Sequence, residues 1–264
     1  MTSAVSLLFR ALLLAAFSAL AFAQAPQSKP AAPTYEPQSG QEGKDVVWVP
    51  TPQILVDKML DMAKVTPNDF VMDLGSGDGR TVITAAKRGA RALGVEYNPD
   101  MVELSRRAAE KEGVSGKATF VKADLFETDF SRASVITMFL LPDINLKLRP
   151  KILDLKPGTR IVSNSFTMGD WVADERFVIT PEAGCNTSWC TSLLWIVPVK
   201  VAGIYKVPQG DLVLKQEFQM LTGTLTAAGK TSALEGRVRG EEVSFRAGGR
   251  QYRGKMNGKS LELH

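Results

Sequence analysis

Apolar residues in the first half of the chain occur at helical spacing in some places and in short unbroken runs in others. From Gln53 onward, Leu55, Met59 and Met62 lie on one helical face, which predicts a first helix that ends before Pro67. Five apolar runs follow, each short enough to be a buried strand. The runs cover residues 70–74, 92–96, 118–121, 134–140 and 159–163.

Helical stretches separate these runs. One is predicted over 80–88, a second begins at Asn98 and Pro99 and continues through Ala108, and a third begins at Pro142. Strands that alternate with helices form a parallel sheet, and strands that are apolar throughout have both faces covered. The pattern therefore predicts a doubly wound, Rossmann-like α/β fold.

The alternation ends after Trp171. Two strands, 177–180 and 191–197, follow without a long helix between them, and no convincing helix begins after Pro198. The last part of the chain contains two copies of one pattern, alternating apolar residues around a glycine turn; the copies cover 234–245 and 252–263. We expect residues 199–264 to form a small antiparallel β meander, either as a separate module or as a flap packed on the main sheet.

The first 44 residues have a different composition. Residues 1–23 contain Arg10, an apolar run over 11–22 and an Ala-Phe-Ala ending, which is typical of a cleaved signal peptide. An uncleaved anchor and a mis-assigned start codon are the alternatives. Residues 24–44 contain four prolines and are predicted to be a flexible linker, with no membrane span after it. The protein is then periplasmic or envelope-associated if cleaved, and membrane-anchored otherwise.

Composition excludes several classes of chemistry. The one histidine is His264 at the chain end, which argues against histidine-dependent hydrolases and histidine-ligated metal sites; no metal site is predicted. The formal charge is +4, and basic and acidic residues are interspersed, so no nucleic-acid partner is predicted. In an exported protein Cys185 and Cys190 can form a disulfide, although two unpaired thiols are the alternative.

A glycine-rich loop between a strand and a helix is the most informative segment. It carries Gly75, Gly77 and Gly79, which permit positive φ and let the backbone approach a ligand at the helix N-terminus. The glycine spacing differs from G-x-G-x-x-G, which disfavours a dehydrogenase. Asp73 and Asp78 repel a pyrophosphate but suit a ligand with an ammonium and a sulfonium charge, as in S-adenosylmethionine.

Two further carboxylates follow the next strands. Glu96 is placed to accept the ribose hydroxyls of a nucleoside, and Asp124 to accept from an adenine amino group. Each alone is equally compatible with a solvated loop position. Together they lie at the carboxyl ends of strands in one sheet, where open α/β folds bind ligands, so the sequence predicts a nucleoside site.

At these residues the sequence resembles the class I S-adenosylmethionine-dependent methyltransferases, over roughly residues 45–198. DLGSGDGR (73–80), GVEYNP (94–99) and KADLF (122–126) are similar to motifs of that superfamily. WVPTP (48–52) and the segment 137–171 resemble the lysine methyltransferases of the ATP synthase c-subunit and the adenine nucleotide translocase, and their bacterial relatives. The resemblance implies a seven-stranded sheet, S-adenosylmethionine as cofactor, a protein lysine as target, Thr51 in the cofactor pocket, and residues 137–141 facing the amine.

The resulting prediction is a methyltransferase that acts by direct in-line displacement, because no Pro-Cys nucleophile or Asn/Asp-Pro-Pro-aromatic motif is present. Phe139 is the candidate pocket wall, or alternatively a core residue, and Asn145 is a candidate to orient the amine. A small-molecule methyltransferase and an exported non-catalytic protein with a decayed domain are the alternatives. The predicted cofactor residues are Thr51, Asp73, Gly75, Ser76, Gly77, Asp78, Gly79, Glu96, Asp124 and Leu125.

Overall fold

The computed structural model describes residues 35–258 and 260–264. The predicted signal peptide therefore lies outside the described residues. The described chain forms two seven-stranded sheets. Within the described ranges, no helix has the length and apolar character needed to cross a membrane.

The first sheet confirms the predicted doubly wound α/β fold. Its strand order is β3-β2-β1-β4-β5-β7-β6, with parallel pairing from β3 to β5 and antiparallel pairing of β7 with both neighbours. The strands are β1 (Phe70–Leu74), β2 (Arg91–Glu96), β3 (Ala118–Lys122), β4 (Val135–Met138), β5 (Arg160–Asn164), β6 (Glu175–Val178) and β7 (Thr191–Ile196). All four residues of β4 are buried, because helices cover both faces of the central strands.

Four helices pack on this sheet, at the positions that the apolar spacing predicts. They are α1 (Gln53–Met62), α2 (Arg80–Lys87), α3 (Pro99–Lys111) and α4 (Pro142–Leu153). The side chain of Asn98 accepts from the backbone N–H of Asp100 (2.9 Å), and Pro99 is the first residue of α3, as predicted. β6 covers residues 175–178 and is thus shifted two residues toward the N-terminus from the predicted 177–180. A short 3-10 helix that starts at Pro181 follows it.

The second sheet is the predicted antiparallel meander, in the order β14 to β8. Its strands are β8 (Gly203–Val207), β9 (Gly210–Glu217), β10 (Met220–Ala227), β11 (Lys230–Arg239), β12 (Glu242–Ala247), β13 (Arg250–Asn257) and β14 (Ser260–Leu263). The sheet has its own apolar core, and β14 approaches β8, so the meander curls toward closure.

The repeated pattern corresponds to two successive hairpins, β11–β12 and β13–β14. A Cβ at Gly236 would meet the carbonyl oxygen of Ser244 at 2.2 Å, and one at Gly254 would meet that of Glu262 at 2.2 Å. Each copy therefore needs glycine where its partner strand crosses closely.

The meander packs directly on the first sheet. Phe218, at the β9–β10 turn, stacks on Trp171 with ring centroids 6.0 Å apart, and the Gln219 side chain donates to the Val172 carbonyl (2.7 Å). Arg237 pairs with Asp174, whose side chain is fully buried. Of the two arrangements expected from the sequence, the structure has the packed one.

Candidate active site

A cavity opens at the carboxyl ends of β1, β2 and β4. These are the central strands, at the point where the strand order reverses, which is where open α/β folds bind ligands. The glycine loop, the ends of these strands and the segment before α1 line it. Every predicted cofactor residue except Gly79 lines it, as does Phe139.

The glycine loop adopts the backbone that the sequence predicts. Gly75, Gly77 and Gly79 have φ of 76°, 53° and 79°, all in the left-handed region. A Cβ at Gly77 would lie 2.5 Å from Nε1 of Trp48, and one at Gly79 would lie 2.8 Å from the Ser105 side chain. Glycine is therefore needed here for both φ and space.

Glu96 is fixed at the mouth of the cavity by two backbone groups. Its carboxylate accepts from the N–H of Gly77 (2.9 Å) and from the N–H of Asn98 (2.9 Å). A carboxylate has about four lone-pair positions, so two remain for ligand hydroxyls. Glu96 thereby links the glycine loop to α3 and presents its free lone pairs to the cavity.

Asp73 lies deeper and is only 6 % exposed. Its Oδ1 accepts from the hydroxyl of Thr137 at 2.6 Å. Burial raises the pKa of this carboxyl to about 7; the charges of Asp78 and Glu96 add to the rise, and the Thr137 hydrogen bond opposes it. A cationic group bound here would favour the ionised carboxylate, which makes the site suited to an ammonium group.

Asp78 and Asp124 line the cavity but are already paired with cations of the chain. The Asp78 carboxylate accepts from Nε of Arg80 (3.0 Å), and Nη1 of Arg80 donates to the Thr51 carbonyl (2.9 Å). Asp78 thus positions Arg80 and the segment before α1. Asp124 pairs with Lys44 and accepts from the N–H of Phe126 (2.8 Å), and the Lys44 hydrogen bond holds the Asp124 pKa below its usual value.

The segment 41–51 forms one wall of the cavity. Residues 35–44 belong to the predicted linker, but in the structure Lys44 contacts Asp124 and its ammonium lies 5.0 Å from the ring centroid of Tyr97. The segment 35–44 is mostly exposed, and Lys44 is the described residue of it that pairs with a carboxylate at the end of a strand. Thr51 is buried, and its hydroxyl accepts from the amide of Asn164 (3.3 Å).

The structure does not bring Asn145 to the cavity. Asn145 is fully buried, and its amide donates to the carbonyls of Phe166 (3.3 Å) and Thr167 (3.1 Å). Its expected role in orienting an amine is therefore wrong, since it lies on the side of α4 that faces the turn after β5. Phe139 does line the cavity and is half-buried.

The residues present fit S-adenosylmethionine. Glu96 offers acceptors for the ribose hydroxyls, Asp73 suits the ammonium group, and the N-terminus of α2 suits a carboxylate. Ser76 also lines the cavity, and Gly94 in β2 leaves the space that its buried hydroxyl occupies, because a Cβ at Gly94 would lie 2.5 Å from that oxygen.

Four residues that line the cavity were not predicted individually from the sequence: Lys44, Trp48, Arg80 and Tyr97. Arg80 directly follows the glycine loop and pairs with Asp78, two residues before it. Trp48 lies in the WVPTP segment that carries the family resemblance, which was the available signal. The other contacts depend on side chains far apart in the chain.

Comparison with known proteins identifies a matching family and several relatives. The model of the family described as "ANTKMT methyltransferase domain" matches residues 73–175. A protein-lysine N-methyltransferase of Saccharolobus islandicus (strain REY15A) is 48% identical over 142 residues, covering 53% of this chain and 87% of that protein. The ATP synthase c-subunit lysine N-methyltransferase of Homo sapiens is 33% identical over 168 residues, covering 58% of this chain and 70% of that protein.

A solved structure is also similar. It is an RNA methyltransferase from Salinibacter ruber in complex with S-adenosyl-L-homocysteine, with a TM-score of 0.53 and 42% sequence identity. The alignment covers 58% of this chain and 96% of that chain. The family match begins at Asp73, the first residue of the glycine-loop motif, and ends at Glu175 in β6.

Proposed function

Because this chain belongs to the family of methyltransferases that contains the protein-lysine and ATP synthase c-subunit lysine N-methyltransferases, we propose that it transfers a methyl group to a lysine side chain of a protein. The chain is an S-adenosylmethionine-dependent methyltransferase. Our proposal concerns the acceptor of the methyl group, a protein lysine.

The observation that carries the proposal is the position of Phe139 at the end of β4. It lines the same cavity as Asp73 and Glu96, and it presents an aromatic wall beside the predicted cofactor site. This wall shields the acceptor side from water and leaves room for an amine in line with the methyl group, which the amine accepts once it has lost its proton to solvent. Both cysteines form a disulfide, so neither supplies a thiol nucleophile.

When bound, S-adenosylmethionine would supply a methyl group on a positively charged sulfur for transfer to the neutral amine, with S-adenosylhomocysteine as the leaving group. The chain contributes binding and exclusion of water. Glu96 and the glycine loop hold the nucleoside, Asp73 holds the ammonium, and Phe139 shields the acceptor side. The proton of the lysine ammonium passes to solvent before transfer.

The test uses the purified full chain, methyl-tritiated S-adenosylmethionine and a total extract of the cells that contain the protein. We expect tritium in protein, released as methyllysine after acid hydrolysis, and no incorporation with Gly77→Val. Tritium in RNA, or only in small molecules, would contradict the lysine proposal and favour the corresponding alternative acceptor.

We also propose that the protein is exported. The support is the apolar run 11–22 before a small-residue ending, together with the Cys185–Cys190 disulfide, because disulfides persist in oxidising compartments. Cell fractionation followed by N-terminal sequencing tests this proposal. A mature chain that starts after Ala23 in the periplasm or envelope is expected, and an intact N-terminus in the cytosolic fraction would overturn it.

A further inference from the structure

Three aromatic rings from separate parts of the chain meet beside the cavity. The ring of Phe139 stacks on Phe166 with centroids 5.9 Å apart, and Trp189 contacts both, at 5.7 Å from Phe139 and 5.2 Å from Phe166. All three side chains are half-buried, so part of each ring is accessible. Phe139 belongs to both the cluster and the cavity wall, which makes the cluster continuous with the predicted cofactor site.

The backbone just before Phe166 has an unusual conformation. The preceding residue, Ser165, has φ of 60°, which is uncommon for a residue other than glycine. The carbonyl of Phe166 accepts from the hydroxyl of Ser163 (2.8 Å) and from the amide of Asn145. Left-handed residues that are held by such contacts cluster at functional sites. Asn145 therefore helps to fix the backbone that carries this ring.

Trp189 is held by a loop that a disulfide closes. It lies in the loop that the Cys185–Cys190 disulfide closes, with the two Cα atoms 5.9 Å apart. Its backbone N–H donates to the hydroxyl of Thr187 at 3.1 Å. Both cysteines are buried in an apolar core cluster of the first sheet, so both ends of this loop are anchored there.

On the basis of the proposed function, we propose that Phe139, Phe166 and Trp189 form the subsite that receives the lysine amine and its methylated forms. The loop closed by the disulfide positions Trp189 in this subsite. Aromatic faces attract alkylammonium cations, and quaternary ammonium groups most readily, because these shed water easily. The subsite thus retains the methylated cations between transfers. Each transfer forms one nitrogen–carbon bond as one sulfonium carbon–sulfur bond breaks, and the mono- and dimethylammonium products each lose one proton to solvent before the next transfer.

The test measures binding rather than turnover. The probe is Nα-acetyl-Nε-trimethyllysine methylamide, titrated by calorimetry into the full chain saturated with S-adenosylhomocysteine. Its neutral analogue, with carbon in place of the quaternary nitrogen, is the control ligand. We expect the cation to bind and the neutral analogue to bind at least about fivefold more weakly. Equal binding of the two ligands, or no binding of the cation, would overturn the subsite.

Three variants assign the residues. Trp189→Ala should weaken cation binding about tenfold, whereas Trp189→Phe, which keeps a ring, should retain most of it. The double variant Cys185→Ser/Cys190→Ser should weaken it as Trp189→Ala does. The affinity for S-adenosylhomocysteine should stay unchanged in all three. If the double variant fails to bind S-adenosylhomocysteine, the wild-type chain treated with dithiothreitol replaces it.

The outcomes separate the two proposals. Unchanged cation binding in Trp189→Ala would remove Trp189 from the subsite, and unchanged binding without the disulfide would remove its positioning role. Neither result depends on the tritium assay, which tests lysine as acceptor. If no tritium enters protein but the cation still binds, the lysine reaction is excluded while the aromatic subsite for alkylammonium cations stands.

Discussion

At the scale of single residues, Asp73 connects burial to ligand binding. Its carboxyl is buried next to two other acids, and its pKa is raised to about 7. Since the folded value lies above the unfolded one, this group's contribution to stability is fully present below the unfolded value, near pH 4, and is lost as the pH rises through 7. A bound ammonium group offsets the free-energy cost of ionising Asp73 in the folded protein, because it favours the ionised carboxylate.

We therefore expect the affinity for S-adenosylhomocysteine to rise about tenfold between pH 6 and pH 8, as Asp73 ionises. Thr137→Val removes the hydrogen bond that lowers the Asp73 pKa, so the midpoint should move to higher pH. Asp73→Asn should bind more weakly, with a flat profile. Calorimetric titration at several pH values measures this, and a flat profile for the wild-type chain would contradict the role of Asp73.

A second residue-scale prediction concerns Gly77. Gly77→Val should weaken S-adenosylhomocysteine binding at least about tenfold, because the new side chain meets Trp48 and the backbone requires φ of 53°. Gly113→Val is the matched control: Gly113 has φ of 68°, but no atom of the described residues lies within 4 Å of its Cβ position. The control should lose stability yet keep its affinity. Equal affinity loss in both variants would show that backbone strain alone is responsible.

The site could be predicted from the sequence where one local segment determines the geometry. The glycine loop and Glu96 belong to this class, because strand, loop and helix follow one another in the chain. The partner of Asp124 was not predictable, since Lys44 is 80 residues away from it in the chain. The prediction for Asn145 is wrong for a related reason: apolar spacing locates a helix but does not determine the direction of one polar side chain.

At the scale of elements, the β9–β10 turn joins the two sheets. Phe218 adopts φ of 49°, stacks on Trp171, and lies under the Arg149 guanidinium, 5.2 Å from the ring centroid. Trp171 in turn packs beside Trp195, whose indole N–H donates to the Trp171 carbonyl (2.7 Å). The turn therefore reaches the fully buried aromatic core of the first sheet.

Phe218→Ala should lower the free energy of unfolding by about 2 kcal/mol, through lost aromatic burial. Phe177→Ala, at a 43% exposed position of strand β6, should cost less than about 1 kcal/mol. Urea denaturation of both variants measures the difference. Because no described residue of the meander lines the cavity, S-adenosylhomocysteine affinity should not change in Phe218→Ala. Equal losses of unfolding free energy in the two variants would contradict tight packing between the β9–β10 turn and the first sheet.

The elements themselves follow closely from the sequence. Unbroken apolar runs predict the parallel strands, and the repeated pattern corresponds to the two hairpins. The packing of the meander on the first sheet could not be predicted, because Phe218 and Trp171 are ordinary apolar residues in their own segments. Only the tertiary structure shows that they stack.

At the scale of the whole molecule, a cofactor cavity, an aromatic cluster and a C-terminal meander share one described unit. The cavity and the aromatic cluster meet at Phe139, and the meander packs on the first sheet through Trp171, with no described residue of the meander in the cavity lining. This arrangement separates the surface that binds the cofactor from the part that stabilises the sheet.

The most direct measurement is a crystal structure of the full chain with S-adenosylhomocysteine. We expect the ribose hydroxyls on Glu96, the ammonium near Asp73, and the sulfur directed toward Phe139. Electron density for the nucleoside outside this cavity, or a cavity without the nucleoside at saturating ligand, would contradict the assignment of the cofactor site.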